Sequence, residues 1–194
     1  MWHLGRRGCS SRPAAVRPPD LDPAASATQA ITDYDTDRDQ ALSKEETAAC
    51  PALRRSFTRH DTDRDGKLSA SEIATCIKSL TSARQGLKSV SCTVLLDGQP
   101  LEGANVVFEP ESFLTGRLKP AHGITSASGK TPLSLSKDDL PPDLQNFRGM
   151  QVGLYKVRVT HPSKTIPERC HTHTVLGEEV APGTFDIQIH LKSN

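Results

Sequence analysis

Two short stretches concentrate the residues able to hold a hard cation. Residues 35–50 read DTDRDQALSKEETAAC and residues 61–76 read DTDRDGKLSASEIATC, an offset of 26 with 10 of 16 positions identical. Both place acids at positions 1, 3 and 5, leucine at 8, serine at 9 and glutamate at 12. A hard divalent cation takes roughly six to eight oxygens, and a twelve-residue loop wraps it with short acids at alternate positions and a two-oxygen carboxylate at the end. The candidate ligands are Asp35, Asp37, Asp39, Ala41, Ser43 and Glu46 in the first loop, and Asp61, Asp63, Asp65, Lys67, Ser69 and Glu72 in the second. Lys67 would offer only its backbone carbonyl, and Ser69 sits where a hydroxyl or a water bridges to the ion. An all-oxygen set of this kind suits Ca2+. Crowded carboxylates repel one another without an ion, so the loops are expected to be less ordered in its absence.

The loops differ at the sharp turn, where Gly66 stands in the second and Gln40 in the first. A non-glycine residue at positive φ costs roughly 1–2 kcal/mol, about a tenfold loss of affinity if only the bound form carries the strain. The second loop is therefore expected to bind more tightly. A register starting at Asp33 would put Lys44 at the glutamate position and Gln40 at the apolar one, which excludes it. This ligand spacing resembles the EF-hand family over about residues 22–80. That resemblance implies paired hands, with Leu42 and Leu68 meeting across a short β-bridge. Only 14 residues separate Glu46 from Asp61, so the helix leaving the first loop must be short and Pro51 should start the next. With two methionines in the chain, no Met-rich groove of the sensor type is expected.

The elements that must position these loops follow from periodicity. Residues 1–21 read as a flexible basic tail, with Arg6, Arg7, Arg12 and Arg17 ahead of the first acid, Asp20. Without aromatic interleaving or helical period this arm does not indicate nucleic-acid binding. Asp22–Pro23 reads as a helix cap followed by proline at the first helical position. Ala27, Ile31 and Tyr34 keep helical spacing, as do Leu53 and Phe57, then Ile73, Cys76, Ile77 and Leu80. From Val90 the period becomes two through Cys92 and Val94, Asp97–Gly98 marks a turn, and alternation resumes at Ala104–Phe108, Tyr155–Val159 and Phe185–Leu191. The expected organisation is tail 1–21, helical pair 22–80, linker 81–87 and β module 88–194. A content of 35% hydrophobic residues fits two small domains better than one large core.

Cys50 and Cys76 occupy equivalent points of the two repeats, one helical turn beyond each glutamate. A Cys50–Cys76 disulfide is one reading, two separate core thiols the other. Cys92 falls on an inward strand position. Cys170, His171 and His173 form a further cluster with transition-metal chemistry, weighed against an ordinary polar edge strand. Gly8–Cys9, followed by a Ser/Arg/Pro-rich stretch, looks like the end of a lipoprotein signal; Cys9 is then a lipidation site, or else a free thiol in the tail.

The runs VSCTVLLDGQPLEGANVVFEPE, GITSASGKTPLSL and GLYKVRVTHP resemble transthyretin-like, carboxypeptidase-regulatory-type β-sandwich domains over about residues 88–192. The implied fold class is an all-α EF-hand pair plus an all-β transthyretin-like sandwich, with Tyr155 buried and its hydroxyl bonded to backbone. An EF-hand pair followed by such a sandwich also resembles small exported bacterial proteins. Transthyretin-like hydrolases carry a C-terminal Tyr–Arg–Gly–Ser, whereas this chain ends His–Leu–Lys–Ser–Asn, and no Gly–x–Ser–x–Gly elbow or glycine-rich phosphate loop occurs. The expectation is a non-catalytic calcium-binding protein outside the cytoplasm whose sandwich contacts a protein or surface partner, with membrane attachment only through Cys9. A cytosolic calcium buffer or sensor and a transition-metal carrier using Cys170, His171 and His173 remain as alternatives.

Overall fold

Asp22 opens the first helix: its carboxylate accepts from the amides of Ala24 and Ala25, both at 3.0 Å, and Pro23 takes the position whose amide needs no partner. The computed structural model describes residues 18–82 and 86–193. Most of the 1–21 tail, including Cys9, and the middle of the 81–87 linker lie outside the described residues.

Helix α1 (Pro23–Tyr34) ends where Asp35 begins the first loop. Strand β1 (Ala41–Ser43) follows, and then a single 3₁₀ turn, Glu46–Ala49, stands in place of an exiting helix. Helix α2 (Pro51–His60) starts at once, with proline again at its first position. Strand β2 (Lys67–Ser69) pairs antiparallel with β1, bringing Leu42 opposite Leu68, and α3 (Ala70–Thr81) leaves the second loop under a capping box of Ser69 and Glu72. Both leucines are fully buried with Leu53, Ile73 and Ile77.

The rest of the chain forms two sheets. Strands β5 (Asn105–Pro110), β6 (Ala121–Ile124), β8 (Ser134–Leu135), β9 (Gly153–Thr160) and β10 (Gly177–Val180) make an antiparallel sheet in the order β10-β9-β5-β6-β8. A second sheet joins β3 (Ser91–Leu96), β4 (Gln99–Pro100), β7 (Lys130–Pro132) and β11 (Asp186–Leu191), with β11 running parallel to β3. Tyr155 is fully buried, and its hydroxyl donates to the Gln151 carbonyl at 2.9 Å. Ile187, Ile189 and Leu191 point inward, but Phe185 precedes the strand and is exposed, with the Lys88 ammonium 3.8 Å from its ring centroid.

The expected fold class does not hold. Among the described residues there are three α-helices and eleven strands in three sheets, with helix and strand in about equal amounts. The first half is not all-α, because the short spacing between loops reduces its fourth helix to a 3₁₀ turn and β1 and β2 form a sheet of their own. Nor do the halves stand apart. Helix α2 lies on β10 and β9, and α1 meets the 3₁₀ turn Ser112–Leu114 that follows β5.

That junction is specific. Glu111, fully buried beyond the end of β5, accepts from the Ala52 amide at 3.0 Å and so caps α2 from the opposite half of the chain. Gly177 on β10 passes so close to Pro51 and Ala52 that a Cβ there would collide with their backbone. Arg55 pairs with Glu178 at 2.9 Å, and Tyr34 shares a hydrogen bond with Ser112 at 2.8 Å.

Candidate metal centre

Each loop coils around its acids because their carboxylates accept from amides further along. In the second loop Asp61 Oδ2 accepts from Gly66 N at 3.2 Å, Asp63 from Asp65 N at 3.2 Å, and Asp65 from Lys67 N at 2.8 Å. The first loop repeats this with Asp35 accepting from Gln40, Asp37 from Asp39, and Asp39 from Ala41. Two residues per loop adopt the left-handed conformation: Arg38 (φ 63) and Gln40 (φ 72) in the first, Arg64 (φ 63) and Gly66 (φ 83) in the second. The positive φ foreseen for Gln40 is present, while the matching arginines were not foreseen.

The closing glutamates are anchored in the same way. Glu72 Oε1 accepts from the Thr62 amide and hydroxyl at 2.7 and 2.9 Å, and Oε2 from the Ser69 amide and hydroxyl, both at 2.9 Å. Glu46 makes the equivalent bonds to Thr36 and Ser43. Burial opposes the charge on each glutamate, but the hydrogen bonds from serine and threonine outweigh it and hold both pKa values down at about 2. Ser43 and Ser69 therefore orient the glutamates. Threonine at position 2 of both repeats was the overlooked signal.

Carboxylate oxygens of Asp61, Asp63 and Glu72 lie within 4.8 Å of one another, as do those of Asp35, Asp37 and Asp39. Asp65 stays outside the first group and Glu46 outside the second. A further difference concerns the first acid of each loop. In the first loop Asp35 Oδ1 accepts from Arg38 N at 2.7 Å, whereas Asp61 Oδ1 is buried and has no hydrogen-bond partner. A buried carboxylate oxygen left without a donor is costly, and a cation beside Asp63 and Glu72 is the partner that suits it. The second loop's residues fit a hard divalent ion on that observation. Asp39 is otherwise engaged: the Lys67 ammonium pairs with its Oδ2 across the two loops, and this bond, followed by the one from Ala41, lowers its pKa.

The remaining candidates are dispersed. Cys50 and Cys76 are both free and buried, so the suggested disulfide is not formed. Their environments explain why, since Cys50 lies beside Glu111 at the start of α2 and Cys76 beside Glu179 from the middle of α3. Near residue 170 the chain turns where an edge strand was one reading. Cys170 is buried, His171 Nε2 bonds to the Ile166 carbonyl at 2.9 Å, and His173 pairs with Glu168 at 3.3 Å, so the three do not converge. Among the described residues no helix is long and apolar enough to cross a membrane.

No protein-family model matches this chain, and no curated protein matches it.

Proposed function

We propose that this protein is a non-catalytic Ca2+-binding module in which loop 61–72 is the principal site and loop 35–46 a weaker twin, both of EF-hand type. The observation that carries the reading is the unpartnered, buried Asp61 Oδ1 within a carboxylate set that includes Asp63 and Glu72. Asp61, Asp63 and Glu72 would hold the ion, which would supply charge neutralisation and cross-linking. The chain's own part is preorganisation: Thr62 and Ser69 fix the Glu72 carboxylate, and Gly66 allows the turn. Because α2 both enters this loop and rests on β10 and β9, an ordered loop stiffens the helical layer against the sheet. The sheets then serve as a platform for a protein or surface partner.

Extracellular modules of this type bind at about 10⁻⁴–10⁻³ M, which gives constitutive filling outside the cell; a cytosolic buffer would require submicromolar affinity. Isothermal titration with Ca2+ and Mg2+ tests the proposal and separates these settings. Two Ca2+ sites are expected, with the tighter one lost in both Asp61→Asn and Glu72→Gln. Absence of binding at millimolar Ca2+ would sink the reading.

A further inference from the structure

His60, Cys76 and Glu179 come from three different elements and meet at the junction between the helical layer and the sheet. His60 is the last residue of α2, Cys76 sits in the middle of α3, and Glu179 belongs to the edge strand β10. A ring nitrogen, the thiol sulfur and a carboxylate oxygen from these residues lie within 4.8 Å of one another. His60 Nε2 is 2.8 Å from Glu179 Oε2. The group is secluded, with side-chain exposures of 10% for His60 and 8% for Glu179, and Cys76 exposed by only 1%.

We infer that His60, Cys76 and Glu179 form a transition-metal site, best suited to Zn2+, separate from the two acidic loops. Imidazole, thiolate and carboxylate together are a ligand set that zinc prefers and Ca2+ does not, since Ca2+ takes oxygens alone. Zinc bonds of about 2.0–2.3 Å in tetrahedral array place neighbouring ligand atoms roughly 3.4–3.6 Å apart. The ligand atoms, all within 4.8 Å of one another, therefore need adjustments of no more than about 1 Å, with His60 and Glu179 separating slightly from 2.8 Å. On binding, the Cys76 thiol releases its proton to solvent and the sulfur lone pair forms the metal bond, while the proton that His60 Nε2 shares with Glu179 also leaves to solvent, the neutral ring keeping its other proton on Nδ1, so that the Nε2 lone pair is free for the metal. Thiolate and carboxylate then balance the dication, and the ion exchanges for the hydrogen bond between His60 and Glu179. Arg59 Nη1, 3.1 Å from Glu179 Oε2, belongs to a side chain that is 67% exposed, so its guanidinium either keeps donating to a Glu179 oxygen that the metal does not use or swings out to solvent. Three protein ligands leave the fourth position to water.

This site would pin α2 and α3 to β10 one residue before Asp61, the first acid of the second loop. Its existence does not depend on Ca2+ binding. The test is Co2+ titration of the full chain under reducing conditions, in a Cys9→Ser background, with millimolar Ca2+ present to occupy the loops. One equivalent of Co2+ should produce a thiolate-to-cobalt charge-transfer band, displaced by Zn2+. The band should vanish in Cys76→Ser and persist in Cys50→Ser, Cys92→Ser and Cys170→Ser. Its absence from the parent chain, or its survival in Cys76→Ser, would overturn the assignment. Glu179→Gln provides a second readout should Cys76→Ser fold poorly: Zn2+ affinity should fall tenfold or more, and unchanged affinity would equally reject the site.

Discussion

The Lys67 ammonium of the second loop pairs with Asp39 of the first, tying the two loops together through a residue expected to offer only backbone. Lys67 holds position 7 of its loop, where β2 lies against β1, with Ser43 as its paired residue. Its side chain thus reaches the fifth residue of the neighbouring loop and neutralises a carboxylate that a cation would need. Replacing Lys67 by Gln should therefore tighten Ca2+ binding at the first loop by a few-fold and leave the second nearly unchanged. Two-site titration calorimetry reads this directly. An unaltered first site would mean that Asp39 takes no part in ligation.

Gln40 and Gly66 hold equivalent turns at φ 72 and φ 83. Left-handed backbone costs a non-glycine residue roughly 1–2 kcal/mol, and glycine returns about half of that gain through its freer unfolded chain. Gln40→Gly should then stabilise the fold by about 0.5–1 kcal/mol, raising Tm by about 2 °C in a chain of this size. Gly66→Gln should lower it comparably. No Cβ contact arises at Gly66, so the second change isolates backbone strain from packing. Thermal unfolding in the absence of divalent ions measures both.

Glu46 and Glu72 give the acid limb of stability a definite direction. Their folded pKa values, about 2, lie below the unfolded value near 4.5. Between these limits the unfolded chain binds more protons, so the contribution is complete above about pH 4.5 and is lost as pH falls towards 2. Denaturant unfolding in chelator across pH 2–6 should show stability falling on acidification. The slope should flatten in Glu72→Gln, whose side chain has no proton to gain.

The repeat at 35–50 and 61–76 made both loops legible, because acids, a turn residue and glutamate recur at fixed spacing. The start of α2 at Pro51 followed from the same spacing, and the pairing of Leu42 with Leu68 from the resemblance that the spacing carries. Strand positions such as Val94 and Val157 were equally readable, since alternation reports a buried face. What stayed hidden depends on long-range docking. Glu111 capping α2 joins residues 59 apart, and His60 meets Glu179 across 119. Neither leaves a local period, and a two-domain reading gave no reason to bring them together. Of the two readings of Cys50 and Cys76, separate buried thiols is the one found, because the symmetry of the repeats ends at Cys50, where a 3₁₀ turn replaces the helix that Cys76 occupies.

The cap on α2 offers the sharpest test of how the halves are joined. Burial raises the Glu111 pKa, against the lowering influence of the Ala52 amide and of Lys156, whose Nζ is 3.5 Å from Oε2. Truncation to Ala removes an acceptor from the helix N-terminus and leaves Lys156, whose side chain is 28% exposed, without its carboxylate. A loss of about 2 kcal/mol is expected, mostly from the lost helix cap, since solvent reaches Lys156. Glu111→Gln keeps the acceptor for Ala52 and should cost less. Gly177→Ala attacks the same contact from β10, where the added methyl must displace the backbone of Pro51 and Ala52; overpacking of this kind costs about 1–3 kcal/mol. Because α2 leads into Asp61, both Glu111→Ala and Gly177→Ala should also weaken Ca2+ binding at the second loop, although neither residue lies in it. Urea unfolding and calorimetry of the same two variants check the linked effects. Lowered stability with unchanged Ca2+ affinity would show that the junction holds the halves together without ordering the loop.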